Sequence, residues 1–245
     1  MRSAPLENAL KTALRQGLVT LHYQPQIDLA TGQVVGLEAL ARISETSLEE
    51  VSPEIFIPLA QEMGLMADIG HATLIQLKQD LPVWIDRYPS IRIGINFSMQ
   101  ELVHPTFFSI FHAWLKDMPI NASQHIDIEV TEAAFNHVPP EVVQGLNSLR
   151  TLGVRVAIDD FGAGQSSLAR LHTLPFDIIK LDKQFIHQIN HPMVYEIVKA
   201  VIHLAKQFDK VLVAEGVETQ AQHQTLKDMG CPIAQGFLFG KAVPL

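Results

Sequence analysis

The sequence predicts an α/β chain folded as a (β/α)8 barrel whose first strand is antiparallel to its neighbours. Three observations carry this reading. Short apolar runs alternate with helical stretches along most of the chain, the pattern of parallel βαβ units. Eight such runs fit into 245 residues, a normal length for one α/β barrel. The first two are separated by Ala30-Thr31-Gly32 alone, too short for a crossover, so they should pair as an antiparallel hairpin. An open, doubly wound sheet is the rival arrangement. Residues 1–245 are expected to form one barrel domain.

Residues 6–18 set Leu6, Ala9, Leu10, Ala13, Leu14 and Leu18 on one stripe, which predicts a helix. Residues 21–29 alternate loosely around Tyr23-Gln24-Pro25 and give the first strand; residues 33–43 (QVVGLEALARI) give the second. Residues 53–64 and 67–80 read as helices, and 92–98 (RIGINFS) as a strand. A helix-rich stretch leads to strand 126–132 (IDIEVTE). Helix 141–152 stops at Gly153, a residue suited to a left-handed cap. Strand 155–161 (RVAIDDF), a short helix near 166–171 and strand 176–182 (FDIIKLD) follow. A long helix at 191–208, strand 210–217, helix 219–229 and an eighth strand at 233–240 (IAQGFLFG) complete the alternation.

Composition narrows the function. Hydrophobic residues make up 47% of the chain, ample for a large core, yet no apolar run approaches the ~20 residues of a membrane-spanning helix. Residues 1–17 lack the apolar segment of a secretory signal. The single cysteine, Cys231, excludes an internal disulfide and fits a reducing, cytosolic setting; its place before Pro232 suits a small buried residue. A formal net charge of −8 argues against a nucleic acid polymer as partner. It leaves room for a phosphate ligand whose charge is met by metal ions. The 11 histidines form no HExxH pattern, and His22 and His104 read as structural or exposed.

The informative regularity is where the polar residues fall. Nearly every strand is apolar and then turns polar towards its C-terminal end: Glu38 and Arg42, Asn96 and Ser98, Glu129 and Glu132, Asp159 and Asp160, Lys180 and Asp182, Glu215 and Glu218, and Gln235. A lone Asp-Asp pair usually caps a helix or sits solvated in a loop. Seven polar strand ends in a barrel share one face, the face on which barrel active sites are built. The pocket so formed is rich in acceptors, with only Lys180 and Arg42 to balance it. Crowded carboxylates repel and lose hydration, and hard divalent cations such as Mg²⁺ or Mn²⁺ relieve both costs. Two such ions, one bridged by Asp159, suit in-line phosphodiester hydrolysis. Lys180 would orient the attacking water, and Arg42 would hold a phosphate.

These residues carry a family resemblance over nearly the whole chain. Glu38-Ala39-Leu40 stands within GLEALAR. YQPQ at 23–26, FIPLA at 56–60, NFS at 96–98, EVTE at 129–132, DDFGAG at 159–164, KLD at 180–182, AEGVET at 214–219 and QGFLFG at 235–240 follow in order. The chain resembles the EAL domain, the cyclic di-GMP-specific phosphodiesterase module. That resemblance implies a TIM-like barrel with an antiparallel first strand, in the cytoplasm of a bacterium. It implies one metal held by Glu38, Asn96, Glu129 and Asp159, and a second held by Asp159 and Asp160 with Glu215 in or next to its shell. Lys180 would contact the catalytic water, with Glu38, Asp160 and Glu215 completing the catalytic set. Gln24 and Arg42 would contact the dinucleotide, Gln235 would support the water network, and Glu132 would anchor the loop after Asp160. The product would be linear pGpG, Ca²⁺ would inhibit, and a homodimer or a longer parent chain with sensory or GGDEF domains is implied.

Some positions depart from the family pattern. Gln165 stands where the loop after the aspartate pair usually has Tyr, and ISETSLEEVSP lacks the usual Trp-x-x-Pro. Gln61 and Ala242 replace a Glu and a Pro that touch no predicted metal. Asp182, Glu218 and Ser98 suit caps or loop braces as well as a site. The alternative is a catalytically silent EAL module that receives cyclic di-GMP or a protein partner. Glu38, Asp159, Asp160, Lys180 and Glu215 are all present, which favours the enzyme.

Overall fold

The computed structural model describes residues 4–45, 48–164 and 174–245. Helix α1 (Ala4–Gln16) leads into strand β1 (Val19–Asp28), which turns back into β2 (Val34–Glu45). Their pairing is antiparallel from Val19↔Ile43 to Ile27↔Val34. From β2 onward the barrel strands are parallel: β4 (Arg92–Asn96), β5 (Ile126–Thr131), β6 (Arg155–Phe161), β7 (Ile178–Leu181), β8 (Val211–Ala214) and β9 (Ile233–Gln235). Strand β9 pairs antiparallel with β1, and this closes an eight-strand ring among the described residues. Closure excludes the open-sheet alternative.

Helices α2 (Pro53–Met63), α3 (Met66–Arg87), α4 (Met99–Leu102), α5 (Phe107–Lys116), α6 (Pro140–Thr151), α7 (Lys183–His187), α8 (Pro192–Gln207) and α9 (Gln220–Asp228) surround the barrel. Their inner faces join the outward residues of the strands in one large core that includes Leu77, Ile93, Phe111, Ile128, Leu146 and Ile179. A second cluster, with Leu10, Ile43, Phe56 and Met66, fastens α1 to α2 and α3. Inside the barrel the apolar content is small: Ala157, Ile178 and Val213 pack together. Much of the rest of the interior is polar or charged. Low in the barrel, Asp127 accepts from Arg92 Nε at 2.7 Å and from Arg155 Nη2 at 2.6 Å. Among the described residues no helix is long and apolar enough to cross a membrane.

Several elements differ from the sequence reading for local reasons. Helix α3 runs on to Arg87 through Pro82. Proline costs it one backbone hydrogen bond, but burial of Leu81 and Trp84 keeps the segment against the core. Within the ISETSLEEVSP stretch, Leu48–Val51 forms strand β3, which pairs antiparallel with the end of β2 beyond the barrel. The last barrel strand ends at Gln235 rather than continuing through 240, because Leu238 N–H donates to Val217 O and the chain turns, with Gly240 N–H donating to Gly236 O. Val243–Pro244 then adds a short strand, β10, beside β1. The helix expected near 166–171, and Gln165, lie outside the described residues.

Candidate active site

Strand alternation sends every second residue into the barrel, and the parallel register brings their ends level: Asn96 lies beside Glu129, and Thr131 beside Asp159. Lys180 stands at the centre. It is 1% exposed, and its Nζ lies 2.6 Å from Glu129 Oε2, 2.9 Å from Glu215 Oε1, 3.0 Å from Asp159 Oδ1 and 3.4 Å from Glu38 Oε2. Glu38 is held from two further sides. Asn96 Nδ2 donates to its Oε1 at 2.8 Å, and Gln235 Nε2 donates to its Oε2 at 2.6 Å.

Asp159 and Asp160 are sequence neighbours, so an unbroken strand would point them to opposite faces. The β6–β7 register shifts between Ile158 and Phe161, and Asp160 adopts a left-handed backbone at φ 53°. This bulge turns Asp160 back towards the site, and its N–H donates to Asp159 Oδ1 at 3.0 Å. Two groups of carboxylates result, each with ligand atoms within 4.8 Å of one another: Glu38, Glu129 and Asp159, and Asp159, Asp160 and Glu215. Asp159 belongs to both. The first group is buried, and the second opens towards solvent.

The electrostatics show that one ammonium does not satisfy this cluster. Burial pushes Glu129 well above the usual carboxylate range; Lys180 opposes this, while Glu38 and Asp159 add to it. Burial likewise pushes Glu215 up to about 8 against the pull of Lys180. Desolvation of its carboxyl, then the charges of Asp159 and Asp182, push Asp160 up to about 6. Burial would also raise Glu38, but Lys180 and the donors Gln235 and Asn96 outweigh it and hold that carboxyl below its ordinary value. Burial alone would lower Lys180, yet the surrounding carboxylates, Asp159 and Glu129 foremost, hold it well above the ordinary lysine range. Five carboxylates against one ammonium leave a formal excess of four negative charges, which two divalent cations would cancel. All-oxygen donors sharing one bridging carboxylate fit hard ions such as Mg²⁺ or Mn²⁺.

The other predicted residues fall around this centre. Gln24 lies across from Glu38 in the β1–β2 register; its Oε1 accepts from Gln235 Nε2 at 3.1 Å, and its Nε2 donates to Gly240 O. Arg42 lies on the same face of β2 as Glu38, nearer the rim, with Nη1 donating to Ala41 O. Glu132 is 5% exposed and accepts from Gly162 N–H at 2.8 Å, in the turn after Asp160. Ser98 and Asp182 cap α4 and α7. Glu218 turns away, 3.7 Å from His187 Nε2. Gln26, the last residue of YQPQ, carries no assigned role in the sequence, although its place two residues after Gln24 marks it as facing the same way; its Nε2 donates to Gln235 Oε1 at 3.0 Å. Beside Glu38 and Asn96 opens a cleft of about 530 Å³, walled by Ile57, Met66, Ile69 and Ser98.

The family profile of the EAL domain matches residues 7–242, which include every one of these side chains. The chain belongs to the EAL domain family. A probable cyclic di-GMP phosphodiesterase of Escherichia coli (strain K12), PdeB, is 33% identical over 96% of this chain and 45% of its own length. The bifunctional diguanylate cyclase/cyclic di-GMP phosphodiesterase MucR of Pseudomonas aeruginosa is 34% identical over 96% of this chain and 34% of its own. This EAL chain therefore spans less than half the length of those two curated relatives. Among solved structures, the PaMucR phosphodiesterase in complex with c-di-GMP superposes with a TM-score of 0.91 at 33% identity, covering 98% of both chains.

Proposed function

We propose that this EAL domain is a metal-dependent phosphodiesterase that hydrolyses cyclic di-GMP to linear pGpG. The observation that carries the proposal is the pair of carboxylate groups that share Asp159, with Lys180 set among them. Glu38, Asn96, Glu129 and Asp159 would hold one divalent cation, and Asp159, Asp160 and Glu215 the other. Two such ions supply activation of a water and stabilisation of the leaving oxygen in an in-line displacement.

The protein's own groups do the rest. The Lys180 ammonium, fixed on four sides, orients the attacking water and offsets charge on the phosphate. Glu215 and Asp160, on the more open side of the site, would complete the catalytic set as holders of the second cation. Gln235, anchored by Gln26 and Gln24, keeps Glu38 aimed at the site. Arg42 at the rim suits a bidentate contact with phosphate oxygens. Water adds to phosphorus, one phosphodiester P–O bond breaks, and the departing sugar oxygen takes up a proton. Glu132 keeps the turn after Asp160 in place through Gly162. Homodimerisation and attachment to sensory or GGDEF domains belong to the same proposal, as does a bacterial cytoplasmic setting.

The test is incubation of the purified chain with cyclic di-GMP and Mg²⁺ or Mn²⁺, followed by chromatography. Appearance of pGpG that a chelator stops is the expected result. Ca²⁺ should support binding without turnover, because its larger and looser shell positions the water poorly. Binding with no pGpG under Mg²⁺ or Mn²⁺ would make the chain a cyclic di-GMP receptor instead.

A further inference from the structure

Glu101 is a buried carboxylate that the reaction above does not use. It is 3% exposed and closes the capping box of α4, a helix of only 4 residues. Its Oε2 accepts from Ser98 N–H at 2.8 Å and from Ser98 Oγ at 2.6 Å, while its own N–H donates to Ser98 Oγ at 3.3 Å. A capping box on a solvent-facing helix leaves its carboxylate wet. Here the second oxygen, Oε1, is pressed against Gly70 in the second turn of α3. A Cβ at Gly70 would overlap Oε1 and lie 3.4 Å from Glu101 Cδ.

The segment that Glu101 grips ends the strand carrying Asn96. Phe97 N–H donates to Glu129 O at 2.9 Å, and the Phe97 ring packs edge-on against Phe107 and Phe111. Ser98 is the next residue, and beyond it the chain leaves the barrel. Asn96 therefore has a ladder below it and the Ser98–Glu101 clamp above it. We infer that Glu101 is a positioning residue: wedged between Gly70 and Ser98, it fixes the Asn96 end of β4 and so sets the affinity of the Glu38–Asn96–Glu129–Asp159 group for a divalent cation. The inference rests on the metal-site reading above. Partners of this kind, one step removed from the ligands, typically change metal affinity by about 10–100-fold.

The test is calorimetric titration of Mn²⁺ into the substrate-free chain and four variants, with circular dichroism to verify folding. Glu101→Ala should weaken the tighter-bound or the weaker-bound ion by about tenfold or more. Glu101→Gln keeps an oxygen for Ser98 and should stay close to the parent. Gly70→Ala should also weaken Mn²⁺, although alanine favours a helix interior over glycine, because the new methyl displaces the carboxylate. In the Gly70→Ala/Glu101→Ala double variant nothing remains to be displaced, so its affinity should equal that of Glu101→Ala alone.

Unchanged Mn²⁺ affinity in a folded Glu101→Ala chain overturns the inference, as does additive loss in the double variant. If Glu101→Ala does not fold, parent-like affinity in Gly70→Ala overturns it. A parent chain that takes up no Mn²⁺ overturns both this inference and the metal site. A parent chain that binds Mn²⁺ but leaves cyclic di-GMP intact fails the proposed activity alone, and the affinity comparison still decides the role of Glu101.

Discussion

Lys180 shows how a charge can be buried at 1% exposure without being neutralised: four carboxylates lie within 3.4 Å of its ammonium. The same crowding leaves protons on the acids when no cation is bound. Glu215 is pushed from 4.5 to about 8, and Asp160 from 3.8 to about 6. Across those windows the folded metal-free chain binds more protons than the unfolded one, so stability falls as pH rises. In chelator, the melting temperature should therefore drop between pH 5 and pH 8 on account of these two groups, and Mn²⁺ uptake at pH 7 should release protons to the buffer. A melting temperature that rises across that range in chelator, with no proton release, would contradict the raised values. Asp160→Asn should abolish turnover, by at least about 100-fold, while leaving the circular dichroism spectrum intact, because it removes a charged ligand at constant volume. Near-normal pGpG production by that variant would reject the two-metal reading. Most of these side chains were legible in the sequence because polarity at a strand end stands out against an apolar strand. The Glu101–Gly70 contact was not legible, since it joins residues on different elements that share no motif.

At the scale of the element, the loop after β9 is set by contact between backbones. A Cβ at Gly236 would overlap the Val217 carbonyl oxygen and amide nitrogen, neither of which can swing aside. Gly236→Ala should cost about 1–3 kcal/mol or more by overpacking, read as a lower denaturant midpoint. It should also weaken cation binding, because the neighbouring Gln235 loses its aim at Glu38. The strand–helix alternation made β4 to β8 easy to place, since periodicity reports burial directly. Periodicity failed where tertiary packing overrides local chemistry. Pro82 disfavours continuation of α3, but the burial of Leu81 and Trp84 outweighs it. Strand β3 and the 5-residue α7 are too short to leave a pattern, and both depend on neighbours: β2 in one case, the Asp182 cap in the other.

For the whole molecule, a formal charge of −8 concentrated in part inside one pocket makes the fold responsive to cations. Free Mn²⁺ at about 100 times its dissociation constant should stabilise the native state by about 2.7 kcal/mol for each independent site. A thermal-shift series against Mn²⁺ concentration reads this directly. The shift should be smaller in Asp160→Asn, and equal shifts in both chains would place the ions elsewhere. The number of strands and the short first turn point to a closed barrel, and the β9–β1 pairing excludes the open sheet.

That first turn has a consequence for mechanics. In an all-parallel barrel the leading segment enters at the floor, remote from the catalytic rim. Here β1 is reversed, so Val19 begins at the rim beside Ile43, just past Arg42. Helix α1 is fastened there to α2 and α3, whose Ile57, Met66 and Ile69 form the wall of the cleft. A torque or tug applied ahead of α1 is thus delivered at the lip of the active site, with no barrel in between to absorb it.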